Sequence, residues 1–456
     1  MNILFLTSAA PERASFSTNE KRPPLGVGVL LSILKQAGHA VFFSDEYLEP
    51  SNVLDSEFLN SREIDFVCIY SNTICYQSTL DMFEALEGFR QQNKWHGKII
   101  VGGPHTSFGI EDIPTYVDYI VVGEGEQAIL QVINGGKTPR IITGEKVRQE
   151  DMDLLPRPAW EEFVCRNYDW TFPVYIPFTS PCFTMNTSRG CPFKCTFCSV
   201  KGIWGKTYRY MSAERIVDDL EFMQKNYGLR SVYFREDHFT LNKSRTENFC
   251  NLLIKKKLDI KWACETRADQ LDYFEYQELM YKAGCRMFYI GVESGSQRML
   301  DFFNKGEKVE QFIKAFEIAH KLGIKTYASF VIGAPTETNE DRNLTSKLIN
   351  KIKPDSVGKN IFVGLPGSDL YDYIKNNNLY EFEDKFHVLY PKGYLKNIKK
   401  YYGNNSYFKV YSKSKKQYEP SQIKVPKILK KLCNSTPKQI IFSIKYRLNK
   451  FLFKRL

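Results

Sequence analysis

The sequence predicts an α/β protein: an N-terminal doubly wound (Rossmann-like) parallel sheet, then an open partial (β/α)6 barrel, then a basic C-terminal helical tail. Three observations predict it. Short apolar runs alternate with helical patterns through the first 145 residues, the alternation restarts near residue 183, and the basic residues gather beyond residue 390. A chain of 456 residues exceeds what one core serves. The expected divisions are 1–145, a linker at 146–180, the barrel at 181–365 and an extension at 366–456.

In the first region strands are expected at 3–7, 41–44, 66–70, 99–102 and 119–122, and helices at 26–37, 79–92 and 126–133. Ligands of such sheets bind beyond the carboxyl ends of the strands. Those ends carry Ser71-Asn72-Thr73, Gly102-Gly103-Pro104-His105 and Gly123-Glu124-Gly125-Glu126. Glycine there lets a large ligand approach the backbone, so a nucleotide-type cofactor is the general reading. No GxGxxG follows the first strand, which argues against a dinucleotide.

The connector at 146–180 is kept extended by Pro156 and Pro158. Its aromatic residues from 163 onward are expected to pack on the following domain.

The second alternation gives strands at 183–188, 231–234, 260–263, 287–292, 326–332 and 356–362, with helices at 213–227, 245–256, 273–282, 309–322 and 339–350. Six strands are too few for the closed eight-stranded barrel. The strand ends carry Arg235-Glu236-Asp237-His238, Cys264-Glu265-Thr266-Arg267, Gly291-Val292-Glu293 and Ile332-Gly333-Ala334-Pro335. A zwitterionic, ribose-bearing ligand needs an acceptor for its ammonium, a cation for its carboxylate and acceptors for its hydroxyls. Glu236, Arg267 and Glu293 supply that set. A structural Arg267–Glu293 ion pair and a solvated His238 are the plain alternatives.

The chemistry concentrates after the first barrel strand, in Cys191-Pro192-Phe193-Lys194-Cys195-Thr196-Phe197-Cys198. Three thiols spaced CxxxCxxC reach three corners of an iron–sulfur cube and leave the fourth iron without a protein ligand. A structural zinc site wants a fourth ligand at close spacing, and none follows. Three unrelated buried cysteines are the alternative. This spacing, with an aromatic before the last cysteine, resembles the radical S-adenosylmethionine (SAM) superfamily. The resemblance implies a 4Fe-4S cluster on Cys191, Cys195 and Cys198, with SAM chelated by the open iron and cleaved reductively. It further implies the Phe197 backbone at the adenine, Glu236 near the SAM amine, Arg267 and Glu293 toward its carboxylate and ribose, and a reductant such as flavodoxin or ferredoxin.

The runs Pro23-Pro24-Leu25-Gly26-Val27-Gly28, Val101-Gly102-Gly103-Pro104-His105 and Val121-Val122-Gly123-Glu124-Gly125-Glu126 resemble the cobalamin-binding domain fused to one branch of that superfamily. That implies cobalamin at Ser71, Asn72, Thr73, Gly102, Gly103, Gly123, Glu124 and Gly125. The DxHxxG motif that supplies a lower axial histidine in many cobalamin proteins is absent, which leaves the lower face to a polar residue or water, with Asn72 and Thr73 nearest. Retention of the fold without cobalamin is the alternative. Together the two resemblances imply methylation of an unactivated carbon in a small molecule. A radical rearrangement, cyclisation or dehydration is the second reading, and a nucleic-acid-binding modification factor is the reading from another class.

Composition bounds the rest. Hydrophobic residues at 43% with 25% charged describe an ordered chain, and no run approaches the roughly 20 apolar residues of a membrane span. Eleven scattered cysteines fit a reducing compartment, so a cytoplasmic protein is expected. Net charge is +11, but from residue 391 onward eighteen Lys and Arg face the single acid Glu419, so the body is mildly acidic. Apolar and basic residues interleave at helical spacing in 440–456. That pattern suits an anionic membrane surface, hence peripheral attachment, or an acidic partner, with a solvated helix docked on the body as the equal alternative; nucleic acid is not the expected partner.

Overall fold

The computed structural model describes residues 1–9, 21–48, 54–135, 138–382 and 388–390. The basic tail, and with it the expected membrane-surface helix, lies outside the described residues. Among those described, no helix is long and apolar enough to cross a membrane.

The N-terminal sheet comprises β1 (Asn2–Thr7), β2 (Ala40–Asp45), β3 (Phe66–Tyr70), β4 (Lys98–Gly102), β5 (Tyr119–Gly123) and β6 (Ile141–Gly144), in the order β2-β1-β3-β4-β5-β6. Every pairing is parallel. The strands are apolar on both faces because both are covered. Ile3, Phe5, Cys68, Ile100 and Val121 face the side holding the helices Leu25–Gln36 and Gly125–Ile133. Leu4, Leu6, Val67, Ile69, Ile99 and Val101 face the other side, with the helix Tyr76–Gln91. The five expected strands are present and β6 adds a sixth. Strand order reverses between β1 and β3, which opens a crevice at their carboxyl ends.

The segment at 146–180 is packed rather than a free linker. Trp160, Phe163, Tyr168 and Trp170 are buried, because aromatics of this size gain most by leaving water. Phe163 meets Phe43 of β2 edge-on at 5.6 Å, and Trp160 meets Phe183 of the next sheet at 5.2 Å. These rings join one apolar cluster that runs from Ile3 and Phe5 to Phe183, Val232 and Phe288.

The second sheet begins with β7 (Cys182–Met185). The expected strand at 183–188 breaks there, and its last residues form β8 (Ser188–Arg189), antiparallel to β9 (Arg209–Tyr210). Then come β10 (Ser231–Phe234), β11 (Lys261–Thr266), β12 (Cys285–Glu293), β13 (Lys325–Ile332) and β14 (Ser356–Ile361). Each main strand pairs in parallel with the next, in the order β14-β13-β12-β11-β10-β7, which is the open six-stranded barrel expected. The outer helices show why they form. In Ala213–Tyr227, Ser212 caps the first turn by accepting from Arg215 N, Gly228 ends the helix at φ 69°, and Ile216, Val217, Leu220 and Met223 make the buried stripe.

Candidate functional site

The cysteine loop leaves β8 through Gly190, whose φ of +81° lies in the left-handed region and whose missing Cβ would collide with the Thr207 carbonyl. From there to Ser199 the chain has no regular structure and is held by the barrel. Thr196 N donates to Phe303 O at 2.8 Å, Leu370 N donates to Thr196 O at 2.9 Å, and Asn304 Nδ2 donates to Lys194 O at 3.2 Å. Phe197 packs edge-on against Phe303 at 5.3 Å. Phe193 lies between the Arg267 guanidinium, 3.8 Å from its centroid, and the His238 ring, 5.6 Å away.

Cys191, Cys195 and Cys198 are free, half-buried thiols. Burial raises all three, Cys198 to about 12, so the protein alone keeps them protonated. Metal binding would therefore expel protons. Among the described residues no three His, Cys, Asp or Glu converge on one ion. Three half-buried thiols on one short loop suit a cluster whose irons take one thiolate each better than a single ion taking all three.

The three polar residues expected to be open are tied to partners. Glu236 is buried and accepts from the Thr187 amide and, at 2.9 Å, from the Thr187 hydroxyl, with Arg245 at 3.8 Å. Arg267 pairs with Asp269 at 2.9 Å and Glu307 at 3.5 Å, and donates to the Lys305 carbonyl at 2.8 Å. Glu293, at a left-handed φ of 65°, pairs with Lys305 at 3.6 Å. Arg267 and Glu293 thus belong to one ionic network and are joined through Lys305 and Glu307 rather than directly. His238 is buried, not solvated. Burial, then the Arg267 charge, lowers it to about 3, so it is a neutral ring. Of this neighbouring pair Asp237 is the exposed carboxyl, pushed up to about 6 by desolvation and then by the Glu236 charge.

Inside the barrel, Tyr233, Tyr289 and Tyr327 form a ladder of rings at 4.9 and 4.7 Å across β10, β12 and β13. Phe172, Val174 and Ile176 join the same cluster. Tyr233 Oη donates to Glu265 Oε1 at 2.7 Å, and desolvation raises the Glu265 carboxyl to about 7.

A cavity of about 840 Å³ separates the N-terminal sheet from the barrel mouth. On one side it is lined by Thr7, Asn72, Thr73, Gly102, Gly103 and Gly123, and on the other by Asn186, Ser199, Trp204, Arg235 and Asp237. It lies at the reversal of strand order, where such sheets bind ligands. Gly102 forms smooth wall, since a Cβ there would touch only Val121, at 3.6 Å. Gly103 is different: its φ of +109° and its closeness to the Ser71 backbone admit no side chain. Among the described residues no histidine lines the cavity, in keeping with the missing DxHxxG motif. Of the other expected contacts, Asn72 accepts from Cys75 N at 3.0 Å and Thr73 Oγ1 lies 3.3 Å from His105 Nδ1. Ser71 is fully buried, bonded to Thr79 at 2.9 Å, and does not reach the cavity.

Glu124 also does something other than wait for a ligand. It accepts from Val147 N at 2.9 Å, Arg189 Nη1 at 2.7 Å and Arg209 Nη2 at 2.5 Å, while Arg189 Nη2 reaches Glu126 at 2.5 Å. Burial alone would raise its carboxyl, but the Arg209 and Arg189 contacts outweigh that and lower it. Sequence reasoning missed Arg189, Arg209, Lys305 and Glu307. The only signal was the Arg189-Gly190 pair set directly before the first cysteine.

A cofactor-binding sheet set over the mouth of an open barrel, with a three-thiol loop between them, defines an enzyme built for two reactive cofactors. Comparisons with known proteins fix the kind. The Radical SAM superfamily model matches residues 185–349, and the B12 binding domain model matches residues 17–133. The chain is 30% identical over 378 residues to an uncharacterized methyltransferase, PH0819, of Pyrococcus horikoshii, covering 78% of this chain and 79% of that one. It is 28% identical to the anaerobic magnesium-protoporphyrin IX monomethyl ester cyclase of Rubrivivax gelatinosus, over 64% of this chain and 56% of that one. Its fold is similar to that of the cobalamin-dependent SAM radical enzyme OxsB with aqua-cobalamin bound. The TM-score is 0.69 at 16% identity, over 98% of this chain and 75% of that one. The protein belongs to the radical SAM superfamily, in the branch that carries an N-terminal B12-binding domain. Its cofactors are a 4Fe-4S cluster, SAM and cobalamin.

Proposed function

We propose that the protein methylates an unactivated carbon of a small molecule, drawing electrons from a reductant such as flavodoxin or ferredoxin. The observation that carries this reading is the single cavity lined both by the Gly102–Gly103 strand end and by Ser199, Trp204 and Asp237 beside the cysteine loop. When bound, the cluster supplies the electron that splits SAM into methionine and a 5'-deoxyadenosyl radical, and cobalamin supplies a carrier for the methyl group.

In this reading Cys191, Cys195 and Cys198 hold the cluster after losing their protons, and the Phe197 backbone meets the adenine. Asp237 is the carboxylate free to take the SAM ammonium, because Glu236 is committed to Thr187 and Arg245. Arg267, Glu293, Lys305 and Glu307 act as a preformed charge network beside the SAM carboxylate and ribose. Gly102, Gly103, Gly123 and Gly125 would allow cobalamin a close approach, and Asn72 and Thr73 would be the polar groups nearest to it. The substrate would lie in the barrel lumen, above Tyr233, Tyr289 and Tyr327, where Glu265 and the Ser329–Asn360 pair (3.0 Å) offer hydrogen bonds. For the tail, the sequence alone supports attachment to an anionic surface.

The cyclase relative favours a second reading, ring closure without methyl transfer. Methyl-labelled SAM separates the two. Methylation requires label in the product, with 5'-deoxyadenosine and S-adenosylhomocysteine formed in comparable amounts. A modified but unlabelled product with 5'-deoxyadenosine alone would favour a radical rearrangement, cyclisation or dehydration instead.

A further inference from the structure

We propose that Arg189 is a positioning residue that ties the setting of the cysteine loop to the filling of the cavity, so that cobalamin and SAM each change the other's affinity. The inference rests on the reading that the cavity takes cobalamin.

Three observations carry it. Gly123, Glu124, Gly125 and Glu126 are cavity wall, so a corrin seated there presses on the residues whose carboxylates hold Arg189. Arg189 is itself cavity wall, nearly buried, and clasped at both guanidinium ends, with the Trp204 ring 5.2 Å from its Cζ. Two residues later the chain reaches Cys191, and Gly190 between them, at φ +81°, runs so close to the Thr207 carbonyl that a side chain has no room there.

Glu124 has a second clasp in Arg209, which pairs with Arg189 across β8 and β9. Removing one partner from a buried ionic cluster leaves a bare charge, so the cluster moves as a body rather than opening. A displacement at the cavity wall is therefore handed to the first cysteine through two short hydrogen bonds and the tightly packed turn at Gly190. Linkage makes the effect reciprocal: whatever factor cobalamin imposes on SAM binding, SAM imposes on cobalamin.

The test uses the full chain with its cluster reconstituted anaerobically. SAM affinity is measured by equilibrium binding, and the SAM-induced change in the reduced cluster's electron paramagnetic resonance spectrum is recorded, with and without hydroxocobalamin. Wild type should show a shift in SAM affinity of about fivefold or more between the two states. Arg189→Lys keeps the charge but loses the planar fork whose two terminal nitrogens hold Glu124 and Glu126 separately, and Glu126→Gln frees one end while leaving the more buried Glu124–Arg209 pair intact. Both variants should bind each ligand, with the ratio of affinities collapsing toward one and the spectrum no longer responding to cobalamin. A purely structural role would weaken both ligands and leave the ratio as in wild type, which would overturn the inference. Wild-type protein that retains hydroxocobalamin and shows no shift would overturn it too. Wild-type protein that retains none would remove the cofactor reading, and this inference with it.

Discussion

The guanidinium of Arg267 lies over the ring of Phe193, its central carbon 3.8 Å from the ring centroid. Phe193 falls between the first and second cysteines of the loop, and Arg267 is anchored by Asp269 and Glu307. A cation stacked on a desolvated ring contributes on the order of 1–2 kcal/mol. The loop is therefore held in shape by contacts that do not involve sulfur.

It follows that the cluster can be lost without losing the fold. Replacing Cys191, Cys195 and Cys198 together with alanine should abolish iron, sulfide and the brown absorption of anaerobically purified protein. Far-ultraviolet circular dichroism should stay unchanged. Iron content equal to wild type would refute the ligand assignment.

Adjacent glycines should respond differently. Gly102→Val adds bulk to the cavity wall at a position where the fold has room, so the variant should fold with stability within about 0.5–1 kcal/mol of wild type and fail to retain hydroxocobalamin through gel filtration. Gly103→Val forces a side chain onto a backbone at φ +109°, and should show lower thermal stability before any cofactor is added.

Trp160 is 2% exposed and touches both Phe163 and Phe183. Trp160→Ala should cost about 3–5 kcal/mol, as large-to-small changes in aromatic cores do. Chemical denaturation should show the loss in probes on both sheets at once.

Glu265 gives a pH signature. Its carboxyl titrates near 4.3 in an unfolded chain and at about 7 in the folded protein. Between those values the folded state holds a proton that the unfolded state has lost, so stability falls as pH rises through this window. Glu265→Gln should remove that component. Its stability relative to wild type should rise from pH 5 to pH 8, and a difference that stays flat would show that Glu265 titrates normally.

The fold was legible because most of the strands are short runs apolar on both faces, set between helical patterns in regular alternation. β6 was not legible: Ile141-Ile142-Thr143-Gly144 is four residues long, alternates in exposure, and looks like loop. The cysteine loop could be read because its three thiols fall within eight residues of sequence, Cys191 to Cys198. The ion pairs could not, because they close over long separations. Arg267 finds Glu307 forty residues away, and Arg189 finds Glu124 sixty-five away. Glu236, Arg267 and Glu293 were rightly read as polar strand ends, but sequence cannot tell an open carboxylate from one already bonded. Asp237, one residue beyond Glu236, is the exposed one of the two.

The aromatic wedge at Trp160, Phe163, Tyr168 and Trp170 bears on how such chains can be recombined. A graft that exchanges the B12-type sheet at a boundary near residue 145 would leave these rings facing a surface they were not shaped for, although the cut falls where a domain border is expected. A workable chimaera would have to take its new sheet together with that sheet's own version of the 146–180 segment and with the acids that grip Arg189. The heritable unit of exchange is then the sheet plus its wedge, and libraries shuffled at the apparent border should be dominated by insoluble products.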